Sequence, residues 1–147
     1  MVPPPTSPPP QRHVMPAELS RISELTAWAE DFARRAKLAP DVSFAIQLCV
    51  EEAVANIIMH SGAGERRDDI AVELVEAGSD VLAVIEDPGR PFDPTTVAPP
   101  PQPASIAEAQ AGHYGIHLIR NFASAMHYER RDGRNRLTLR FSPPQAA

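Results

Sequence analysis

A single cysteine, Cys49, excludes an internal disulfide framework. It sits between Leu48 and Val50 and reads as a small buried hydrophobe, so no redox role is indicated. A basic excess is equally missing. The formal net charge is −5, and a protein that grips a phosphate backbone normally presents a net positive surface, so nucleic acid is not an expected partner. The N-terminus carries no charged-then-apolar leader, and no apolar run reads as long enough to cross a bilayer. Neither export nor a membrane partner is therefore expected, and the cytoplasm is the default compartment.

What the chain does have is length for one core. Its 147 residues, 43% of them hydrophobic, suit one compact domain and are too few for two of ordinary size. The 17 prolines are unevenly placed. Pro3-Pro4-Pro5 and Pro8-Pro9-Pro10 mark residues 1–11 as a stiff solvated tail, either a plain extension or a ligand for a polyproline-binding module. A second cluster, from Pro91 to Pro103, holds residues from about 90 to 112 out of regular structure, and a loop of that length in a small domain is functional or disordered. With a short tail at 143–147, the domain is expected over 12–142.

Apolar residues recur at three- and four-residue steps from Leu19 through Ile22, Leu25, Trp28, Phe32 and Ala36, which predicts an amphipathic helix from Pro16 to about Leu38. A second helix is expected after Pro40, with Asp41 as its cap, running to about Ser61 and ended by Ser61-Gly62-Ala63-Gly64. Ile70, Val72 and Leu74 alternate with less apolar neighbours, and Val81, Ala83 and Ile85 repeat the pattern after Gly78-Ser79-Asp80, which predicts a hairpin. The two-residue period carries the buried side of that second strand to Asp87 and sends Glu86 the other way. A third helix opens at Gly112-His113-Tyr114-Gly115, followed by strands near Met126–Arg130 and Leu137–Phe141. His13 to Met15 is a candidate edge strand. Arg130, Arg131, Arg134, Arg136 and Arg140 flank and alternate along the last hairpin and are expected on a solvated sheet face. The order of elements predicts an α+β fold, a two-layer sandwich with helices packed on a mixed, mainly antiparallel sheet.

Within the second helix, Glu52, Asn56 and His60 stand at i, i+4 and i+8, offset by only about 40° each, while Val50, Val54, Ile57 and Ile58 cover the other directions. A buried carboxylate without a partner costs several kcal/mol, so this stripe needs a cation, a donor or an open cleft. Solvated charge and an ordinary Glu–Asn helix pair explain the same residues. Glu51, rotated away from Asn56, is expected in solvent. Asp87-Pro88-Gly89 is either a plain turn or the end of a ligand-facing strand, and Gly112 to Gly115 either a capping turn or an anion site built from backbone N–H groups. His60 either orients Glu52 or caps the helix. His113 and His117 share the i, i+4 spacing of a zinc pair, but Tyr114 follows where a metalloprotease has Glu, and no third ligand is evident.

Taken in series, Glu52-Ala53-Val54-Ala55-Asn56, Asp87-Pro88-Gly89-Arg90-Pro91-Phe92-Asp93-Pro94 and Gly115-Ile116-His117-Leu118-Ile119 resemble the N, G1 and G2 boxes of the GHKL ATPase superfamily, and within it the bacterial anti-sigma-factor serine kinases. The resemblance implies the histidine-kinase-like ATPase fold, with ATP and Mg as cofactors. It implies Asn56 as the magnesium ligand, Glu52 as the general base that takes a proton from a protein serine, and Asp87 as the acceptor for the exocyclic amine of adenine. Gly89 would let the backbone approach the base, and Gly112, His113, Tyr114 and Gly115 would meet the phosphates. Asn135 stands in the segment where relatives carry a Thr near adenine. The implied partners are a sigma factor, an anti-sigma-factor antagonist with a phosphorylatable serine, and a second copy of the chain. Two positions depart from the family: His113 and Tyr114 interrupt a glycine run that is often richer, and Pro91 replaces the second G1 glycine of histidine kinases. A non-catalytic ATP-binding module of the same fold is the competing expectation. A sensor histidine kinase is ranked last, because the chain has no room for dimerisation helices.

Overall fold

The computed structural model of the chain describes residues 9–60, 69–98 and 113–144. Five strands form one sheet in the order β1-β2-β3-β5-β4. They are β1 (Gln11–Pro16), β2 (Asp69–Ala77), β3 (Asp80–Asp87), β4 (Ala125–Arg131) and β5 (Arg134–Phe141), and every pairing among them is antiparallel. Three helices cover one face: α1 (Ile22–Arg35), α2 (Pro40–His60) and α3 (His113–Phe122), with α2 in the middle. This is the expected α+β architecture of helices on a sheet.

The apolar period of each strand decides which face the helices cover. Val72 and Leu74 of β2, Val81, Ala83 and Ile85 of β3, and Leu137, Leu139 and Phe141 of β5 all point into one core with Leu25 and Phe32 of α1 and Ile46, Val50 and Val54 of α2. Burying each Val, Leu, Ile or Phe among them is worth about 1.5–3 kcal/mol. The 21-residue α2, with a mean hydropathy of 1.5 over its most apolar window, is long and apolar enough to cross a membrane by composition, which corrects the reading that no such run exists. Here it is the core helix, and Ala45, Ile46, Cys49, Val50, Ala53 and Val54 are buried.

The N-terminal boundaries differ from the sequence expectation. Pro16 closes β1 and does not open a helix; a 3-10 turn at Leu19–Arg21 precedes α1. Met15, 1% exposed, pairs with Ile70 and fills the core, and His13 stacks on Trp28 at 5.3 Å, so these contacts capture the chain as an edge strand. Proline is tolerated there because one side of an edge strand needs no partner. Leu19, assigned to the apolar stripe, is 55% exposed. Asp41 is a first-turn residue and not the cap: Ser43 N donates to Ala39 O at 2.9 Å, and Asp41 Oδ1 accepts from Val42 N at 2.9 Å. The turn expected at 61–64, the tail residues 1–8 and 145–147, and residues 99–112 of the expected lid lie outside the described residues.

The last hairpin turns at Asp132 (φ 52°) and Gly133 (φ 75°), a pair of left-handed residues suited to a two-residue turn that keeps the strand twist. That turn fixes the register: Arg131 faces Arg134, Arg130 faces Asn135 and Tyr128 faces Leu137. Asn135 in turn faces Asp87 across β5 and β3. One row of the sheet therefore runs Asp87, Asn135, Arg130 on the helix-covered side.

Candidate functional site

At the end of this row the sheet and the helices separate into a narrow cleft with a cavity volume of about 30 Å³. Asn56 of α2, Asp87 of β3, Phe92 of the following loop, Ile116 of α3, and Tyr128 and Asn135 of the last hairpin all line it. Most of the wall is apolar, and its polar groups are few and convergent, as in a small-molecule site. Asn56, Asp87 and Asn135 are the three buried polar residues of the described chain, at 8%, 2% and 5% exposure. All three are in this cleft.

The loop after β3 hangs from Asp87 and Asn135. Gly89 N donates to Asp87 Oδ2 at 2.9 Å, and Asn135 Nδ2 donates to the same oxygen at 3.1 Å. Asn135 Nδ2 also donates to Arg90 O at 2.9 Å, and its Oδ1 accepts from Phe92 N at 3.2 Å, Tyr128 Oη at 2.5 Å and Arg130 Nη1 at 3.2 Å. The amide is thus engaged at both ends by protein. Arg130 Nη1 donates to Gly89 O at 2.7 Å as well. Both hydrogen bonds of the Asp87 carboxyl group among the described residues fall on Oδ2.

On the opposite wall, the Asn56 side chain makes no hydrogen bond among the described residues although the residue is only 8% exposed, and its carboxamide lines the cleft. Glu52 lies one turn earlier and is half-buried at the start of α3. A Cβ on Gly115 would stand 2.5 Å from Glu52 Oε2, so the helix passes the carboxyl group at a distance only glycine permits without displacing it. Burial, and then the charge of Glu51, raise the Glu52 carboxyl above its ordinary value of 4.5. Burial and Glu52 together push the Cys49 thiol up to about 12, which makes it inert. Glu51 is exposed, and His60 O accepts from Arg90 Nη2 at 3.3 Å, tying the loop to the end of α2.

A model of the histidine kinase-like ATPase domain matches residues 15–141. The chain belongs to this family. It is 37% identical over 112 residues to the serine/threonine-protein kinase BtrW of Bordetella bronchiseptica, a match covering 76% of this chain and 79% of that protein. Its fold matches the crystal structure of the RsbU and RsbW domains of Rv1364c from Mycobacterium tuberculosis with a TM-score of 0.67 at 17% identity. That match covers 92% of this chain and 32% of the other, so the chain spans about a third of the larger protein, and the likeness is one of fold.

In this histidine kinase-like ATPase domain, the sequence-selected residues Asn56, Asp87 and Asn135 line a single cleft, with Gly89 buried in the loop after β3; Glu52 stands against Gly115 and is not among the lining residues. Gly112 and the side chains of His113 and Tyr114 lie outside the described residues. Among the described residues no group of three or more His, Cys, Asp or Glu is placed to hold a metal. The arginine run is not uniform. Arg136 pairs with Glu86 and Glu129, and Arg140 with Asp80, on the open face, but Arg130 turns to the cleft side, which corrects its assignment to a solvated face. Arg130, Tyr128 and Phe92 were missed as site residues. For Arg130 and Tyr128 the signal was the Asp132-Gly133 turn: a two-residue turn pairs 130 with 135, and parity then sets both beside Asn135.

Proposed function

We propose that the chain is an ATP-dependent protein serine kinase that acts as an anti-sigma factor in a cytoplasmic partner-switching module, binding a sigma factor and phosphorylating a serine of an anti-sigma-factor antagonist, as a homodimer. The observation that carries this reading is the single cleft lined by Asn56 from the helix and Asp87 from the strand, with Glu52 one helical turn before Asn56 and against Gly115. Family membership and the likeness to a named serine/threonine-protein kinase and to an RsbW domain support it. The working unit is the domain over 12–142, with a lid from about 90 to 112 over the nucleotide.

Adenine enters between Ile85 and Leu137 of the sheet and Ile116 of α3, and its exocyclic amine donates to Asp87. Gly89 and Pro94, the buried residues of the loop, exclude water from the base. The triphosphate runs toward α3, whose first-turn N–H groups and positive dipole end suit an anion. Asn56 is the residue that would hold magnesium: a buried carboxamide with no protein partner among the described residues fits a hard ion that prefers oxygen and keeps several waters. When bound, the ion neutralises phosphate charge. Glu52 takes the proton of the attacking serine hydroxyl as the new O–P bond forms and ADP leaves with the electrons of the broken one. A carboxyl with a raised pKa is a better proton acceptor, closer to the operating pH.

Phosphotransfer from ATP with magnesium to a serine-bearing antagonist tests the reading. The expected result is phosphoserine with wild type and a loss of at least about 100-fold in Asn56→Ala, as for losing a metal contact. Undiminished transfer by Asn56→Ala overturns it. Calorimetric ATP binding with no transfer supports instead a regulatory module that keeps the nucleotide, the outcome that the His113-Tyr114 interruption of the glycines favours.

A further inference from the structure

We infer that Arg130 is a positioning residue for purine recognition, holding the Asp87 carboxyl group in place through the Gly89 carbonyl and through Asn135. The inference rests on the reading that an adenine nucleotide occupies the cleft. Arg130 belongs to none of the three sequence boxes and lies on the edge strand β4, two strands away from Asp87.

Asp87 is the last residue of β3, and the five residues after it have no ladder to hold them. Five hydrogen bonds fix them instead, already described: Gly89 N to Asp87, Gly89 O from Arg130, Arg90 O from Asn135, Phe92 N to Asn135, and Arg90 Nη2 to His60 O. Two of the donors are charged, Arg130 and Arg90, and the Arg130 bond to Gly89 O is the shortest of the five at 2.7 Å, against 3.3 Å for Arg90 to His60 O. Charge-assisted bonds are about twice as strong as neutral ones. The residue it grips is a glycine, the residue with the widest conformational range, so without the arginine the loop relaxes first at Gly89. Asp87 Oδ2 then loses the Gly89 N–H that orients the carboxyl group. The same Nη1 is 3.2 Å from Asn135 Oδ1, so the second support of Asp87 loosens as well. Arg130 is itself exposed, so its removal leaves no cavity in the core and little cost to the fold as a whole.

A carboxyl group fixed in this way selects adenine by its amine. Hypoxanthine offers a carbonyl at the same position, setting acceptor against acceptor. Calorimetric titration of the whole chain with ATP and with inosine triphosphate, for wild type and variants, reads that selection directly. Wild type is expected to bind ATP more tightly. Arg130→Met is expected to weaken ATP by about tenfold and inosine triphosphate by less than about twofold, the first figure corresponding to about 1.4 kcal/mol. Arg130→Lys, which keeps a charged donor, should recover part of the preference, and Arg131→Met on the opposite side of the strand should keep all of it. Faster amide exchange at Gly89 in Arg130→Met is the expected change without nucleotide. A preference that is unchanged in Arg130→Met, whether both affinities fall together or neither moves, overturns the inference while leaving the ATP reading intact. If wild type itself binds the two nucleotides equally, the adenine contact at Asp87 is wrong and the inference falls with it. Should Arg130→Met fail to fold, the preference of Arg130→Lys decides, a wild-type value then counting against a role for the guanidinium fork.

Discussion

Glu86 and Asp87 are consecutive acids at the end of one strand, and they live on opposite faces of the sheet. Glu86, on the open face, is enclosed by cations: Arg136 Nη1 bonds its Oε1, and Arg134 Nε stands 3.6 Å from its Oε2. Asp87, on the helix-covered face, takes its hydrogen bonds from two neutral donors, a backbone N–H and an amide. The open face continues the pattern with Arg140 against Asp80 at 2.5 Å. On the helix side the other pattern continues with Glu52, whose charged neighbour is Glu51 and not a cation, and with Asn56 in the cleft wall. Where an acid is neutralised by its neighbours it holds the sheet and has no capacity left for a ligand. Where it is supported but not neutralised, it retains an acceptor for one.

The largest effect expected on the cleft face comes from Glu52→Gln. Losing a general base lowers the rate by about 10²–10⁴-fold, read as serine phosphotransfer at saturating ATP. The same substitution should leave the melting temperature at pH 7 unchanged or raised. Glu52 is an acid whose pKa is raised in the fold, so its favourable contribution to stability is complete below the ordinary value of 4.5 and is lost as pH rises through the folded pKa. At neutral pH the ionised group therefore works against the folded state, and glutamine removes that opposition. The stability gap between variant and wild type should close as pH falls toward 4.5. A variant that is both active and less stable at pH 7 would place Glu52 with Glu86 among the structural acids and break the comparison.

Asp87→Ala is expected to act on binding. Removing an acceptor of carboxylate type costs about 1.5–3 kcal/mol, or roughly ten- to a hundredfold in ATP affinity. Stability should fall as well, because Gly89 N and Asn135 Nδ2 lose their partner. Binding of the triphosphate alone should be unaffected, which separates loss of the base contact from collapse of the cleft.

How much of this was legible depended on whether local pattern or distant pairing decides a residue's place. The two-residue period of β3 was enough to send Asp87 inward and Glu86 outward, because side-chain alternation is fixed by the backbone. The helical spacing of Glu52 and Asn56 gave their shared face for the same reason. The start of α1 was not legible: the spacing from Leu19 onward is helical, but burial of Met15 against Ile70 and the stack of His13 on Trp28 are contacts with other elements, and they hold the chain extended. Arg130 was hidden in a different way. Its neighbours Arg134, Arg136 and Arg140 obey the solvated-face expectation, and composition alone gave no reason to separate one arginine from the run. Only the pairing of Arg130 with Asn135 across the Asp132-Gly133 turn does so.

The smallest effect is expected from Glu86→Gln. The side chain is 23% exposed and Arg136 33%, so the pair sits at the surface, where ion pairs are worth about 0–1 kcal/mol and are screened by salt. For a chain of this size, that is a shift of a few degrees at most in the melting temperature, shrinking further in about 1 M salt. ATP affinity and phosphotransfer should stay within about twofold of wild type, since Glu86 points away from the cleft and uncharged glutamine can still accept from Arg136. Adjacent substitutions one residue apart would then differ by an order of magnitude in binding, with the pleat of the strand as the cause. If Glu86→Gln instead weakened ATP as much as Asp87→Ala, the two faces would be coupled through β3, and the ion-pair ladder would belong to the site.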